Sequence, residues 1–376
     1  MKFFASAAKG TEGVLRDELR SLRLPRVRAD RGGVHFEGSL DDAMRACLGS
    51  RVAMRILVEL ATFTAHDADD LYAGVRIIPW HEHLTARHTL AVRATCANSA
   101  LTHSHFIALK TKDAIVDALR DRSGVRPDVN ADDPDVAVTV RLARDVATVY
   151  LDLSGEPLHR RGYRVEVTEA TLKETLAAAV ILLSGWKPDA PFIDPLCGSG
   201  TLAIEAAMMA CNIAPGARRR FGFERWPAFT PEVEARWKAL RDAARAQELP
   251  RAACLIAAYD REVDAVETTR RNAFRAGVEK TLDIRALDVR ELEGAEGPGF
   301  VVSDPPYGDR LAAKPLQLAG FFRQFGEALQ RMRGYDVSLL SGNPLMSRSL
   351  GMTAAREHTM FNGAIECRLL SYKIPR

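Results

Sequence analysis

Two short stretches carry residue types and spacings that chemistry needs. Residues 301–311 read VVSDPPYGDRL, an apolar run closed by Asp304, Pro305, Pro306 and Tyr307. Two prolines remove two backbone donors and fix φ at both sites, so a strand has to stop there. What remains is a stiff rim of carbonyl acceptors with a ring beside it. Upstream, PFIDPL runs into Asp194-Pro195-Leu196-Cys197-Gly198-Ser199-Gly200-Thr201 and then directly into LAIEAAMMA. Glycines in such a strand-to-helix turn let a ligand lie against bare backbone. The loop lacks the third glycine of the dinucleotide fingerprint and the Gly-Lys-Ser/Thr of a phosphate loop. Two further apolar runs end on acids, AAYDRE at Asp260 and ALDVRE at Asp288. A carboxylate at the first tip can accept both hydroxyls of a ribose, and one at the second can accept from the exocyclic amine of an adenine. One acid alone is commonly a helix N-cap. Four successive strand ends that each bear one point to a ligand site.

The elements that must position these residues follow from the periodicity. From Thr171 onward, helical spacing alternates with short apolar runs, at PFIDPL, CLIAAYD, LDIRALD, FVVSDPP and VSLLSG, and then REHTMF and IECRLLSYKI joined by NGA. Such alternation predicts an α/β, Rossmann-like parallel sheet of seven strands covered on both faces, with an antiparallel hairpin at its edge. Thr171-Leu172-Lys173-Glu174 has capping-box form, so a helix is expected to begin there and to bury Leu172, Leu176, Val180 and Leu183. The first part of the chain reads differently. KFFASAA, TEGVLRDELRSL and RGGVHFEG give strand, helix and strand, an α+β unit. More strands are expected at RVAMRILVELATF, HTLAVRATC, DVAVTVRLAR and VATVYLDLSG, with a helix over HSHFIALKTKDAIVDALRDR. The polar EPLHRRGYRVEVTEA reads as a linker.

A chain of 376 residues with 47% apolar and 27% charged residues has globular composition and room for two or three domains. MKFFASAAKG is too short an apolar patch for a secretory leader, and no run approaches a membrane span. Six dispersed cysteines without a CxxC pair suggest neither a disulfide framework nor zinc, and a reducing cytoplasm fits best. His81-Glu82-His83 and His103-Ser104-His105 have no third ligand at matching spacing, so no metal is expected. Net charge is +3, but residues 1–160 hold 22 Lys and Arg against 22 Asp and Glu. Affinity for a nucleic acid in that half must come from local patches, with Lys110, Lys112, Arg160 and Arg161 as candidates. The densest patch is RRRFGFER, where Arg218, Arg219 and Arg220 lie next to Phe221 and Phe223, a mixture that suits single strands.

In this order the motifs resemble those of a class I S-adenosylmethionine-dependent methyltransferase, with the D-P-x-C-G-S-G-T loop and the D-P-P-Y strand end similar to enzymes that methylate exocyclic amines in nucleic acids. FASAAKGTEGVLRDEL, RGGVHFEG, ALKTKDAIVDALR and DLSGEPLHRRGYR resemble the ferredoxin-like and THUMP region of the bacterial 23S ribosomal RNA guanine-N2 methyltransferase family. The resemblance implies a ferredoxin-like part over 1–42, a THUMP RNA-binding domain over 43–154, a linker over 155–170 and a methyltransferase domain over 171–376. It further implies S-adenosylmethionine as cofactor. Asp194, Cys197, Gly198, Ser199, Gly200 and Thr201 would line its methionine part, Asp260 would hold the ribose and Asp288 the adenine amine. Thr171, Lys173 and Glu174 would close the site, and Asp304 to Tyr307 would clamp the target base. The close ribosomal relatives usually carry Asn where this chain has Asp304, whereas Asp is common in related enzymes that modify tRNA. A tRNA guanine-N2 methyltransferase and a non-catalytic RNA-binding assembly factor are therefore the alternatives. The second would predict decay of one of the two motifs, and both are intact.

Overall fold

The computed structural model describes residues 1–164, 172–293, 297–306 and 315–376, and the chain divides into two compact units. Thr171 and Tyr307, both expected at the site, lie outside the described residues.

One unit comprises 1–6, 19–158 and 219–243. Its sheet contains β1 (Lys2–Ser6), β2 (Arg28–Asp30), β3 (Gly33–Glu37), β4 (Arg55–Thr64), β5 (Thr89–Ala97), β6 (Asp128–Val129), β7 (Val136–Ala143) and β8 (Val146–Asp152). They run in the order β2-β3-β1-β4-β8-β7-β5-β6. The expected strands are present, and the long helix of this half is α4 (Ser104–Ser123). Helices α2 (Leu40–Gly49) and α3 (Ala68–Arg76) were not expected from periodicity, although each has a side-chain N-cap, Ser39 and Asp67.

The arginine-aromatic stretch is a correction to the sequence reading. Phe221 and Phe223 are buried and stack on each other, with Trp237 of α7 (Pro231–Arg245) edge-on to both. Arg219 lies over the Phe221 ring and donates to the carbonyls of Ser154, Glu156 and Pro157 at 2.9, 2.6 and 2.7 Å. These aromatics are core, and the Arg219 guanidinium is a buried tie that cannot meet RNA.

The other unit comprises 7–18, 159–218 and 244–376. Its sheet has the order β11-β10-β9-β12-β13-β15-β14. The members are β9 (Phe192–Asp194), β10 (Ile256–Asp260), β11 (Leu282–Ala286), β12 (Gly299–Ser303), β13 (Tyr335–Ser341), β14 (Arg356–Asn362) and β15 (Ile365–Lys373). The first five pair in parallel, and β15 pairs antiparallel with both β13 and β14, as the alternation predicted. Helices α5 (Glu174–Ser184), α6 (Thr201–Ala210) and α8 (Val263–Ala276) cover one face with apolar side chains, and α9 (Pro315–Gln330) and α10 (Pro344–Ser349) cover the other. Residues Ala7–Glu18, including most of α1 (Glu12–Ser21), belong to this unit. Lys9 sits 4.0 Å above the Phe361 ring, and the His358 imidazole lies 2.6 Å from the Gly10 carbonyl. Among the described residues no helix is long and apolar enough to cross a membrane.

Candidate active site at the carboxyl ends of the strands

The reversal of strand order falls between β9 and β12, whose neighbouring carboxyl ends carry Asp194 and, one residue beyond, Asp304. A crevice at such a reversal is where open α/β sheets bind ligands. Asp194 is 1% exposed and accepts from Ser303 Oγ at 2.6 Å. Burial lifts its carboxyl to about 7, with the nearby charges of Asp304 and Asp260 adding to the rise against the Ser303 bond. Asp304 is half-buried and Pro305 buried. Asp194, Asp260 and Asp304 thus lie near enough for the charges of the last two to act on the first.

The glycine turn between β9 and α6 is held from several sides. Asp260 at the tip of β10 accepts from the Gly198 amide at 2.9 Å and from the Glu262 amide at 3.0 Å. From α8, Thr269 Oγ1 donates to the Gly198 carbonyl and Asn272 Nδ2 to the Ser199 carbonyl, both at 2.9 Å. Arg164 closes the remaining side. Its guanidinium reaches Ser199 Oγ at 3.2 Å, Thr201 Oγ1 at 3.0 Å, the Leu172 carbonyl at 3.1 Å and Glu174 Oε1 at 3.1 Å.

Gly198 and Gly200 both have positive φ, +54° and +81°. They differ in surroundings. A Cβ on Gly198 would meet open space, whereas one on Gly200 would run into Thr269. Gly198 therefore leaves open backbone on one side of the turn, and Gly200 is required by packing. Burial pushes the Cys197 thiol well up, helped by the Asp194 charge, so it lines the turn as an apolar group and not as a nucleophile.

Asp288 does cap a turn, accepting from the Arg290 amide at 2.9 Å, and its carboxylate also binds the Arg290 guanidinium. That pairing holds it down at about 2, so it stays ionised.

The capping box expected at Thr171 to Glu174 is not what starts α5. Lys173 is the N-cap without a side-chain bond, and Glu174, the first helical residue, turns its carboxylate to Arg164 instead. Burial raises the Glu174 carboxyl, and Arg164 opposes the rise.

Of the residues expected to touch RNA, Arg161 is 2% exposed and sits 3.6 Å from Glu205, which also accepts from Tyr163. Its burial leaves it no surface for RNA. Arg160, Arg218 and Arg220 are exposed. Lys110 lies 3.7 Å from Asp69 and over the Tyr72 ring, and Lys112 lies 2.9 Å from Asp113. Arg164, Thr269, Asn272 and Ser303 were missed because no local motif marks them; each is recognisable only through a partner far away in the sequence.

Comparison with known proteins gives a consistent picture. Residues 161–371 match the RMKL-like methyltransferase domain, 65–152 a THUMP domain and 2–57 the RlmL ferredoxin-like domain. The chain is 42% identical over 391 aligned residues to the ribosomal RNA large subunit methyltransferase K/L of Syntrophotalea carbinolica, covering 100% of this chain and 54% of that protein. It is 40% identical to the protein of the same name from Aeromonas salmonicida, with 99% and 54% covered. It thus spans about half the length of these relatives. Among solved structures, SMU.472, a putative methyltransferase complexed with SAH, superposes with a TM-score of 0.90 at 32% identity, over 100% of this chain and 98% of that one. TrmN from Thermus thermophilus shares the fold, with a TM-score of 0.72 at 19% identity over 99% of each chain.

Proposed function

Since the chain belongs to the RMKL-like methyltransferase family, we propose that it transfers a methyl group from S-adenosylmethionine to the exocyclic N2 amine of a guanine in 23S ribosomal RNA, in the cytoplasm. The observation that carries this reading is the meeting of the Gly198 turn with Asp194, Asp260 and Asp304 at the strand-order reversal.

The residues fit the cofactor. A bare, open backbone at Gly198 suits close approach, and a buried carboxyl beside two half-buried ones suits a ligand that bears a sulfonium and an ammonium. Asp194 and the turn would hold the methionine part and Asp288 the adenine. Both oxygens of Asp260 already hold amides, and their remaining lone pairs can accept from ribose hydroxyls. Bound there, S-adenosylmethionine supplies an electrophilic methyl group on its sulfonium.

The guanine amine is a poor nucleophile because its lone pair is delocalised into the ring. Asp304 and the Pro305 carbonyl would accept the two amine hydrogens and turn the lone pair toward the methyl group. Orientation and electrostatics then lower the barrier. Tyr307 would stack on a base extruded from its helix and offset part of a flipping cost of a few kcal/mol. Lys110, Lys112, Arg160, Arg218 and Arg220 remain the candidates for RNA contacts.

Mass spectrometry of nuclease-digested ribosomal and transfer RNA from a strain lacking the protein tests the reading. Loss of one N2-methylguanosine from large-subunit RNA is expected. A loss confined to tRNA would move the substrate, and unchanged content in both would overturn the reaction.

A further inference from the structure

Helix α8 has two working faces. Thr269 and Asn272 hold the glycine turn from its buried side. On its opposite side Phe274 is 72% exposed, flanked by the exposed Arg271 one turn before it and Arg275 next to it.

Arg218 joins them from outside the helix. It donates to the Arg275 carbonyl at 2.5 Å, and Arg275 in turn reaches the Gly162 carbonyl at 3.3 Å. Arg271 donates to Thr268 Oγ1 at 3.1 Å. Among the described residues, none of these three guanidiniums has a carboxylate within ion-pair distance. Arg270, by contrast, is neutralised by Glu267 at 3.6 Å.

Basic residues in the last turn of a helix are favoured by the helix dipole alone. Here Arg218 already satisfies a terminal carbonyl, so the dipole does not account for Arg271 or for an aromatic ring left in water between arginines. Three uncompensated forked cations around an exposed ring match a strand of phosphates with unpaired bases.

We propose that the outer face of α8, with Arg218, Arg271, Phe274 and Arg275, binds a single-stranded segment of the RNA substrate: the arginines contact phosphates and Phe274 stacks on an unpaired base. This rests on the reading of the chain as an RNA methyltransferase.

The test measures binding of a labelled single-stranded fragment of large-subunit RNA, and of a duplex of the same sequence, to the full chain. Phe274→Ala is expected to weaken the single strand about tenfold and the duplex little, since each base stacked on a ring contributes roughly that much or more. Arg271→Ala with Arg275→Ala should lower the salt slope of log K by about 1.4, at about 0.7 per phosphate contact on a single strand. Arg271→Glu, on an exposed side chain, provides the check if the double variant loses the Gly162 contact and unfolds locally. Cofactor affinity by calorimetry should stay unchanged throughout. An unchanged affinity and slope in Phe274→Ala and Arg271→Glu, or equal losses on strand and duplex, would overturn the proposal. Wild-type protein that binds and methylates no RNA would instead overturn the function from which it starts.

Discussion

Asp194 is a carboxyl held where its ionised form is poorly solvated. Its folded-state value of about 7 against an ordinary 3.8 means that the folded protein keeps a proton that the unfolded chain releases. Folding therefore takes up that proton between about pH 4 and 7, and stability falls as pH rises through this window, by at most about 4 kcal/mol at 1.36 kcal/mol per unit. Above pH 7 the contribution is level. Asp194→Asn should flatten this fall, read as a higher urea midpoint than wild type at pH 8 and little difference at pH 4. The same variant should lose cofactor affinity. In the wild type that affinity should rise from pH 6 to pH 8, because a cationic ligand favours the ionised carboxyl. A wild-type affinity independent of pH would place the cofactor's charge elsewhere. Asp304 poses a different question. If it only accepts from the amine, Asp304→Asn keeps a substantial part of the single-turnover rate, and Asp304→Ala loses about 3 kcal/mol, roughly a hundredfold. Equal loss in both variants would make it a general base. At this scale the strand-end acids and the glycines were legible, because chemistry restricts those residue types to those places. Phe221 and Phe223 were misread because a ring among arginines has the same signature in a cation–π core as on an RNA-binding surface.

The glycine turn shows what an element needs beyond its motif. Arg164 ties four groups from the Leu172 carbonyl to Thr201, and only a planar fork with several donors reaches them together. Arg164→Lys should thus weaken the cofactor about tenfold while RNA affinity is retained, a split that calorimetry and RNA titration separate. Asn272→Ala leaves the part-buried Ser199 carbonyl without this donor and should cost about 0.5–1.5 kcal/mol of stability. The two glycines should part company. Gly198→Ala adds a methyl group to the open cradle and should lower cofactor affinity with modest strain. Gly200→Ala drives a methyl group into Thr269 and should lower the unfolding temperature first. The strands of the parallel sheet and the antiparallel hairpin at its edge were readable because burial on both faces leaves continuous apolar runs, whereas the order of the strands was not. Helices α2, α3 and α7 were not readable, since their apolar faces are short and α7 completes the core of the unit built mainly from 19–158 from a distant part of the chain.

At the scale of the whole molecule, the chain passes between its two units five times, after residues 6, 18, 158, 218 and 243. Residues 219–243 contribute Phe221, Phe223 and Trp237 to the unit built mainly from 19–158. Trp237→Ala should destabilise that unit by about 3–5 kcal/mol, seen as earlier proteolysis of its fragments while those of the other unit persist. A linear reading cannot foresee such exchange, because local periodicity assigns each segment to its sequence neighbours.

The same exchange sets a timetable for synthesis. A ribosome that has finished residue 158 has made most of one unit but not Phe221, Phe223 or Trp237, and 85 more residues must follow before residue 243 is reached. At about 5–20 residues per second this interval is roughly 4–17 s. Throughout it the β7 and β8 region stands without its aromatic cover, and Ala7–Glu18 waits for the β14–β15 hairpin, which is made long after it. A purified fragment of residues 1–158 is expected to bind a hydrophobic dye and to be cut readily by protease. A fragment of residues 1–250 should resist cleavage across 19–158.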